Sequence, residues 1–581
     1  MFLKTQTVRK PNGKSYTYYR LVHSYREKGK VKQRVVAELG ALSPQDVEYL
    51  ARRFADLAGI ELSEDWEEIE VEGTSYFGAA VLVERLMELL HLTPWVEKAV
   101  ESRRVQFRVV DALKVMLCAH LFKSGSRAEL AVWDWQQKLF WHGHRVEDLE
   151  YQHLLRALNI LVEVKDEIEK ELFLHLRDLF DVSVDLVFYD LTSSYVEGQA
   201  NWSELLQRGY SRDHRGDCKQ VVIGLVVTGE GFPVTFRVFE GNRLDKATLA
   251  EMVRDLEQRF SIRRCIWVSD AGLLSDQNLQ LLQDTGYEYI LGMAGGTNRN
   301  DVLKAIRKTR SLEQREFKDS KFWEVEAEGP SPLGDSDAGR ASRRIVVIES
   351  DGRQKKTSAI LERRLEKVRQ GLQSLERQVK KGKYTTPEDI RVEAEKILHG
   401  SRVTAYFHFQ AEKGRLVWKE DYRAVLERKA DAGKYALITN TNLRAEDVLS
   451  AYRTLLAVED AFLVLKDVLD LRPFWHKCDD NIEGHVLLAV WSYLLYKALE
   501  QLLEKRGFDV PTFRVFEAVK EVRAIELVLE EKRAWKLMKV PREANEAFEA
   551  VGIRNLKGLF NQWATNAPPY HYQPRYIRKE S

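Results

Sequence analysis

The chain has 581 residues, enough for several domains, and 44% of them are hydrophobic, so it can fold around sizeable cores without disulfide or metal staples. Its 90 basic and 89 acidic residues leave a formal charge of +1, which excludes whole-chain attraction to nucleic acid or to a membrane and confines any electrostatic partner to local patches. Four scattered cysteines, at 118, 218, 265 and 478, exclude a C-x-x-C zinc site and a disulfide framework, and fit reduced thiols of a cytoplasmic protein.

The opening MFLKTQTVRKPNG carries no apolar leader. Residues 1–40 hold ten basic side chains against two acidic ones, and the next thirty residues are acidic. SYTYYRLVHSY and KVKQRVVAEL, either side of REKG, predict a hairpin with one basic face. Tyr16, Tyr18, Tyr19 and Tyr25 interleave the charges, as they would on a surface that contacts phosphates; a solvated strand face is the competing reading. From Tyr76 to about Leu179 apolar residues recur at three and four, which predicts a helical domain with Trp133, Trp135 and Trp141 as core anchors.

Val182 to Tyr189 reads as a largely buried strand that ends in Asp190, a charge costly to bury alone. CKQVVIGLVVT and FPVTFRVFEG, joined by GEG, predict a hairpin. A helix, the buried strand CIWVSD, a helix capped by Ser275 and the strand YEYILGM follow, so the order is three strands, helix, strand, helix, strand. Asp270 closes its strand as Asp190 closes the first. If the two strands are neighbours, both carboxylates project at one edge and repel unless a cation lies between them, and hard oxygen ligands favour Mg²⁺ or Mn²⁺.

After Met293 the regularity is lost over 294–350, apart from strand candidates REFKDSKFWEVEAEG and RRIVVIES. AILERRLEKVRQGLQSLERQVKKG predicts a helical hairpin, TAYFHFQ, RLVWKED and YALITNT predict strands, and everything after Arg444 reads as helical up to a proline-bearing tail. The longest apolar run, VLLAVWSYLLYKAL from Val486, reads as too short to cross a bilayer. On the helix LSAYRTLLAVEDAFLVLKDVL, Tyr452, Leu455, Glu459 and Lys466 share a stripe about 60° wide at ~100° per residue. Periodicity alone leaves this stripe open to a solvated-face reading and leaves Asp460 as a competitor of Glu459.

Taken together, FYDLTSS, WVSDAG and the later glutamate helix resemble the ribonuclease-H-like core of DDE transposases. YRTLLAVEDAFLVLK resembles the Y-x2-R-x3-E-x6-K signature of one branch of bacterial insertion-sequence transposases, with Leu455 at the arginine position. GYSRDHRGDCKQVVIGLVV, GFPVTFRVFEGNRLDKATL, KYALITNTNL and the opening YYRLVHSYREKGKVKQRVVAELG are similar as well.

The resemblance implies an α/β ribonuclease-H-like catalytic core, a mixed sheet with helices, preceded by a β-rich and helical N-terminal region and interrupted by a large α+β insertion. Its expected divisions are a basic β-rich domain at 1–75, a helical end-binding domain at 76–180, the first part of the core at 181–293, the insertion at 294–443, the glutamate helix at 444–510 and a helical C-terminal region, suited to dimerisation, at 511–581. Asp190, Asp270 and Glu459 would hold two Mg²⁺ or Mn²⁺ ions and carry catalysis, and Tyr452 and Lys466 would position phosphates. Arg208, Arg212, Arg215 and Lys219 form a basic loop beside the catalytic strand, read as a DNA contact. Thr192, Ser193 and Ser194 read as turn-forming residues, with hydroxyls that cap the site or its metal shell as the alternative, and Trp323, Trp418, His476 and His485 read as core or supporting residues. The expected partner is double-stranded DNA, both the element's terminal inverted repeats and the target, bound by a homodimer in the bacterial cytosol. A non-catalytic DNA-binding regulator, and a nuclease that cuts without joining, are the alternatives.

Overall fold

The structure, a computed structural model, describes residues 2–9, 15–27, 30–40, 70–122, 149–182, 185–197, 203–293, 305–329, 341–469, 471–472, 476–529 and 532–565. Trp133, Trp135, Trp141 and the tail from 566 lie outside them. The chain forms two units, the smaller from residues 184–190 and 244–456 and the larger from 1–183, 191–243 and 457–581.

In the smaller unit, apolar runs become strands buried on both faces, as parallel strands covered by helices must be. The strand Leu186–Tyr195 runs parallel to Ile266–Ser269, with Leu186 opposite Ile266 and Phe188 opposite Val268, and Ile266–Ser269 runs parallel to Glu288–Met293. The sheet continues through antiparallel strands Lys434–Thr439, Ala341–Ser350, Ser320–Gly329 and Arg315–Phe317. Phe188, Tyr189 and Trp267 are fully enclosed, with the Tyr189 and Trp267 rings edge-on at 5.9 Å. The Tyr189 hydroxyl donates to Thr248 Oγ1 at 2.7 Å, which supplies the partner that a buried phenol requires. Ser275 caps the helix Asp276–Asp284 by accepting from the Asn278 amide, as its sequence position predicts.

The insertion has its own core. A single helix, Asp351–Lys380, buries Leu361, Leu365, Val368, Leu372, Leu375 and Val379, whose spacing of four and three lines one face. The expected helical hairpin therefore does not turn within 359–382; its second arm is Pro387–Leu398, packed where a Cβ placed on Gly371 would meet Ile397 Cγ2 at 2.7 Å. Trp418 packs half-buried against this core, and Trp323 is buried in a separate cluster with Ile306 and Val347. Both tryptophans are packing residues here.

The larger unit begins with an antiparallel sheet of Phe2–Arg9, Ser15–Glu27 and Lys30–Gly40, which includes the hairpin read from the sequence. Helices Phe77–Leu89, Val109–Phe122 and Tyr151–Phe180 pack with Asp479–Lys505, and the hairpin Gln220–Thr228 and Pro233–Glu240 lies beside them. A buried polar group ties helix to hairpin: Lys165 donates to Phe236 O at 3.0 Å and faces Glu169 at 3.6 Å, while Thr235 donates to Glu169 Oε2 at 2.9 Å. Removing the acid strands a buried ammonium, so Glu169→Ala should cost about 3 kcal/mol in urea unfolding, and Glu169→Gln, which keeps the Thr235 bond, distinctly less. Equal losses for the two variants would assign the effect to packing instead.

Three expectations fail. The segment after Arg444 is not wholly helical, because Ala524–Leu529 and Lys532–Leu537 form a hairpin that pairs with Glu70–Ser75. The apolar run from Val486 belongs to a helix of 27 residues that is long and apolar enough to cross a membrane, but 78% of its apolar window is buried inside the protein. The strand carrying Asp190 does not stop there: it continues to Tyr195, so Thr192, Ser193 and Ser194 are buried strand residues rather than a turn or cap.

Candidate active site

Asp190 is half-buried in the middle of its strand and Asp270 is exposed directly after Ser269. The parallel register pairs residues eighty apart, 186 with 266 and 188 with 268, and the same offset separates 190 from 270. The last registered pair is Phe188 with Val268, two residues before each aspartate, so Asp190 and Asp270 lie towards the same end of neighbouring parallel strands. The Asp270 side chain caps a short 3₁₀ turn, its Oδ1 accepting from the Gly272 amide at 2.8 Å. This fixes one oxygen of the carboxylate.

Residues that the sequence reading missed complete this edge. Asp245, inside the quoted GNRLDKATL, comes close to Asp270: a Cβ placed on Gly272 would lie 3.0 Å from Asp245 Oδ2 and 3.1 Å from Asp270 Oδ1. Gly292, opposite Asp270 by continuation of the next strand's register, makes room for Tyr452, since a Cβ there would lie 2.6 Å from Tyr452 Oη and 3.2 Å from the Ala271 amide. The phenol is thereby placed beside the backbone of Asp270.

The glutamate helix is not continuous. Ala445–Thr454 ends in a turn at the buried Leu455, Leu456–Leu463 restarts the helix, and Val464–Val468 is a π-helical turn. The stripe computed for one straight helix therefore does not exist as a single face. Glu459 and Asp460 are both exposed on the restarted helix and belong to the larger unit, whereas Asp190, Asp270 and Tyr452 belong to the smaller. Arg453, next to the arginine position that Leu455 fills, is engaged with Asp319 and with Ser320 Oγ at 2.8 Å.

In the larger unit, Ser193 Oγ accepts from the Arg212 amide at 3.1 Å and Ser194 Oγ donates to Leu471 O at 2.9 Å, which satisfies both buried hydroxyls. Lys466 Nζ donates to Asp213 Oδ1 at 2.8 Å, and Arg472 reaches the same oxygen. Burial pulls the Lys466 pKa below its ordinary value, against the opposing pull of Asp213. In the basic loop Arg208 is exposed, Arg212 and Lys219 are half-buried, and Arg215 is taken up by Asp217 at 2.9 Å and Glu197 at 3.3 Å while lying over the Tyr195 ring. His485 lies between His120 and His476, with ring centroids at 5.5 and 5.4 Å, and burial pushes its pKa well below the usual imidazole value.

Among the described residues, no three or more His, Cys, Asp or Glu side chains form a group able to hold a metal ion. The two aspartates nevertheless suit a hard divalent cation by their chemistry, because the donors are carboxylate oxygens.

Comparison with known proteins decides the family. Residues 185–495 match the transposase DDE domain, and residues 3–63 match the N-terminal domain of IS1634 family transposases. The chain belongs to the DDE transposases. Among curated proteins none matches it. The transposase thus has the ribonuclease-H-like core expected from its strand order, and it is a metal-dependent enzyme that cleaves DNA and transfers strands. Its DDE region covers both aspartate strands, the insertion and the helix with Glu459.

Proposed function

We propose that this transposase binds the terminal inverted repeats of an insertion sequence, cuts the DNA at the element ends and joins the resulting 3′-hydroxyls to target DNA, as a homodimer that bridges two ends. The observation that supports this reading is the parallel pairing of Leu186–Phe188 with Ile266–Val268, the two strands that lead to Asp190 and Asp270. Asp190, Asp270 and Glu459 would hold two Mg²⁺ or Mn²⁺ ions. Bound there, such ions lower the pKa of a water or a 3′-hydroxyl and stabilise the leaving oxygen.

The protein's own groups would orient the DNA. The Tyr452 hydroxyl, seated over Gly292 beside Asp270, is suited to donate to a phosphate oxygen next to the scissile bond. Lys466, Arg208, Arg212, Arg215 and Lys219 would neutralise the strand leading into the site, and the basic residues of 1–40 would contact DNA further out. The Tyr452, Glu459 and Lys466 spacing supports the branch with the Y-R-E-K signature, with Leu455 buried at the helix break in place of its arginine.

The test is incubation of the purified protein with Mg²⁺, a duplex carrying the sequence that flanks its coding region and a supercoiled target plasmid. Strand-transfer products are expected. Cleavage without joining would leave a nuclease, and binding without cleavage a regulator.

A further inference from the structure

The loop 208–219 carries, among its four cations, one acid whose side chain is only 3% exposed. Asp213 accepts from Lys466 and Arg472 through the same oxygen, Oδ1, while its enclosed Oδ2 has no hydrogen-bond partner. A carboxylate serving as a permanent anchor would use both oxygens, since a buried acceptor left unmatched is costly. Two cations converging on one anionic oxygen can equally receive a phosphate oxygen, and Arg472 also donates to Asp467 Oδ1 at 2.7 Å.

The loop around this contact is held at several points and open at one. Its base is fixed, with Gln207 and Gln220 exchanging backbone hydrogen bonds at 3.2 and 3.0 Å and Gln220 Nε2 donating to Tyr210 O and Gly241 O at 2.9 Å each. Beyond Asp213, a Cβ placed on Gly216 would meet nothing within 4 Å, while the Arg212 amide is held by Ser193 and Arg215 by Glu197 and Asp217. Lys466 itself sits in a π-helical turn, a geometry that recurs at functional sites.

We propose that Lys466 and Arg472 form a binding site for a DNA phosphodiester, and that in the DNA-free protein the site is filled by Asp213, which the incoming strand displaces. This rests on the reading of Lys466 as a phosphate contact and adds Arg472 as its partner and Asp213 as the occupant. Because DNA must compete with the internal carboxylate, the wild-type protein binds more weakly than its cations alone would allow.

The experiment measures binding of a fluorescent double-stranded oligonucleotide of arbitrary sequence by anisotropy across a salt series, with thermal unfolding of each variant alongside. Asp213→Asn should tighten binding by about tenfold. Arg472→Gln should weaken it and reduce the slope of log K against log salt by about one. A folded Asp213→Asn protein that binds equally or more weakly would overturn the proposal. If Asp213→Asn does not fold, Arg472→Gln decides: an unchanged salt slope rejects the site. Strand transfer by the unmodified protein is scored separately, so loss of this inference leaves the proposed function standing.

Discussion

Asp190→Asn and Asp270→Asn should each lower DNA cleavage in Mg²⁺ by at least about 10³-fold, equivalent to about 4 kcal/mol of transition-state stabilisation. Stability should move the other way. Both aspartates lie towards the same end of neighbouring parallel strands, so neutralising one should leave the unfolding midpoint in metal-free buffer unchanged or raised. Millimolar Mg²⁺ or Mn²⁺ should stabilise the wild-type protein by mass action and lose most of that effect in either variant. A variant that still cleaves, or a wild-type protein whose midpoint ignores both ions, would remove the aspartate pair from the chemistry. Glu459→Gln and Asp460→Asn, tested in the same way, separate the two neighbouring acids: only the first should abolish cleavage.

Gly292→Ala should reduce cleavage by about 10²-fold, because displacement of a positioning group by about 1 Å can cost that much. The added methyl would sit 2.6 Å from Tyr452 Oη, closer than van der Waals contact permits, and 3.2 Å from the Ala271 amide that follows Asp270. Since the backbone there belongs to a registered strand, the phenol has to yield. Tyr452→Phe removes the oxygen that clashes, so the double variant should be more stable than Gly292→Ala alone and no less active. Additive losses in this cycle would show that the two positions act independently.

Much of the core was legible because its central strands are buried on both faces and therefore appear as unbroken apolar runs, each ended or interrupted by an aspartate. Ser193 and Ser194 were misread for the complementary reason. LTSSY is polar enough to suggest a turn, and its burial depends on Arg212 and Leu471, partners supplied by remote segments. The need for glycine at 292 likewise comes from a tyrosine 452 − 292 = 160 residues later, a relation that no local pattern carries. The break at Leu455 has neither proline nor glycine to announce it, and it falls where the chain passes from one unit to the other. The hairpin Ala524–Leu529 and Lys532–Leu537 was hidden among helices by its two short strands of six residues each.

The packing of helix Tyr151–Phe180 against helix Asp479–Lys505 has a bearing on biosynthesis. From the end of the first to the start of the second the chain advances 479 − 180 = 299 residues, which a ribosome traverses in roughly 15–60 s at about 5–20 residues per second. Throughout that interval Leu158, against which Gly484 of the later helix packs, emerges without that neighbour, a natural target for chaperones. The nascent enzyme cannot mature until translation has all but finished, so a polypeptide truncated by a premature stop codon would be cleared rather than persist as an active fragment.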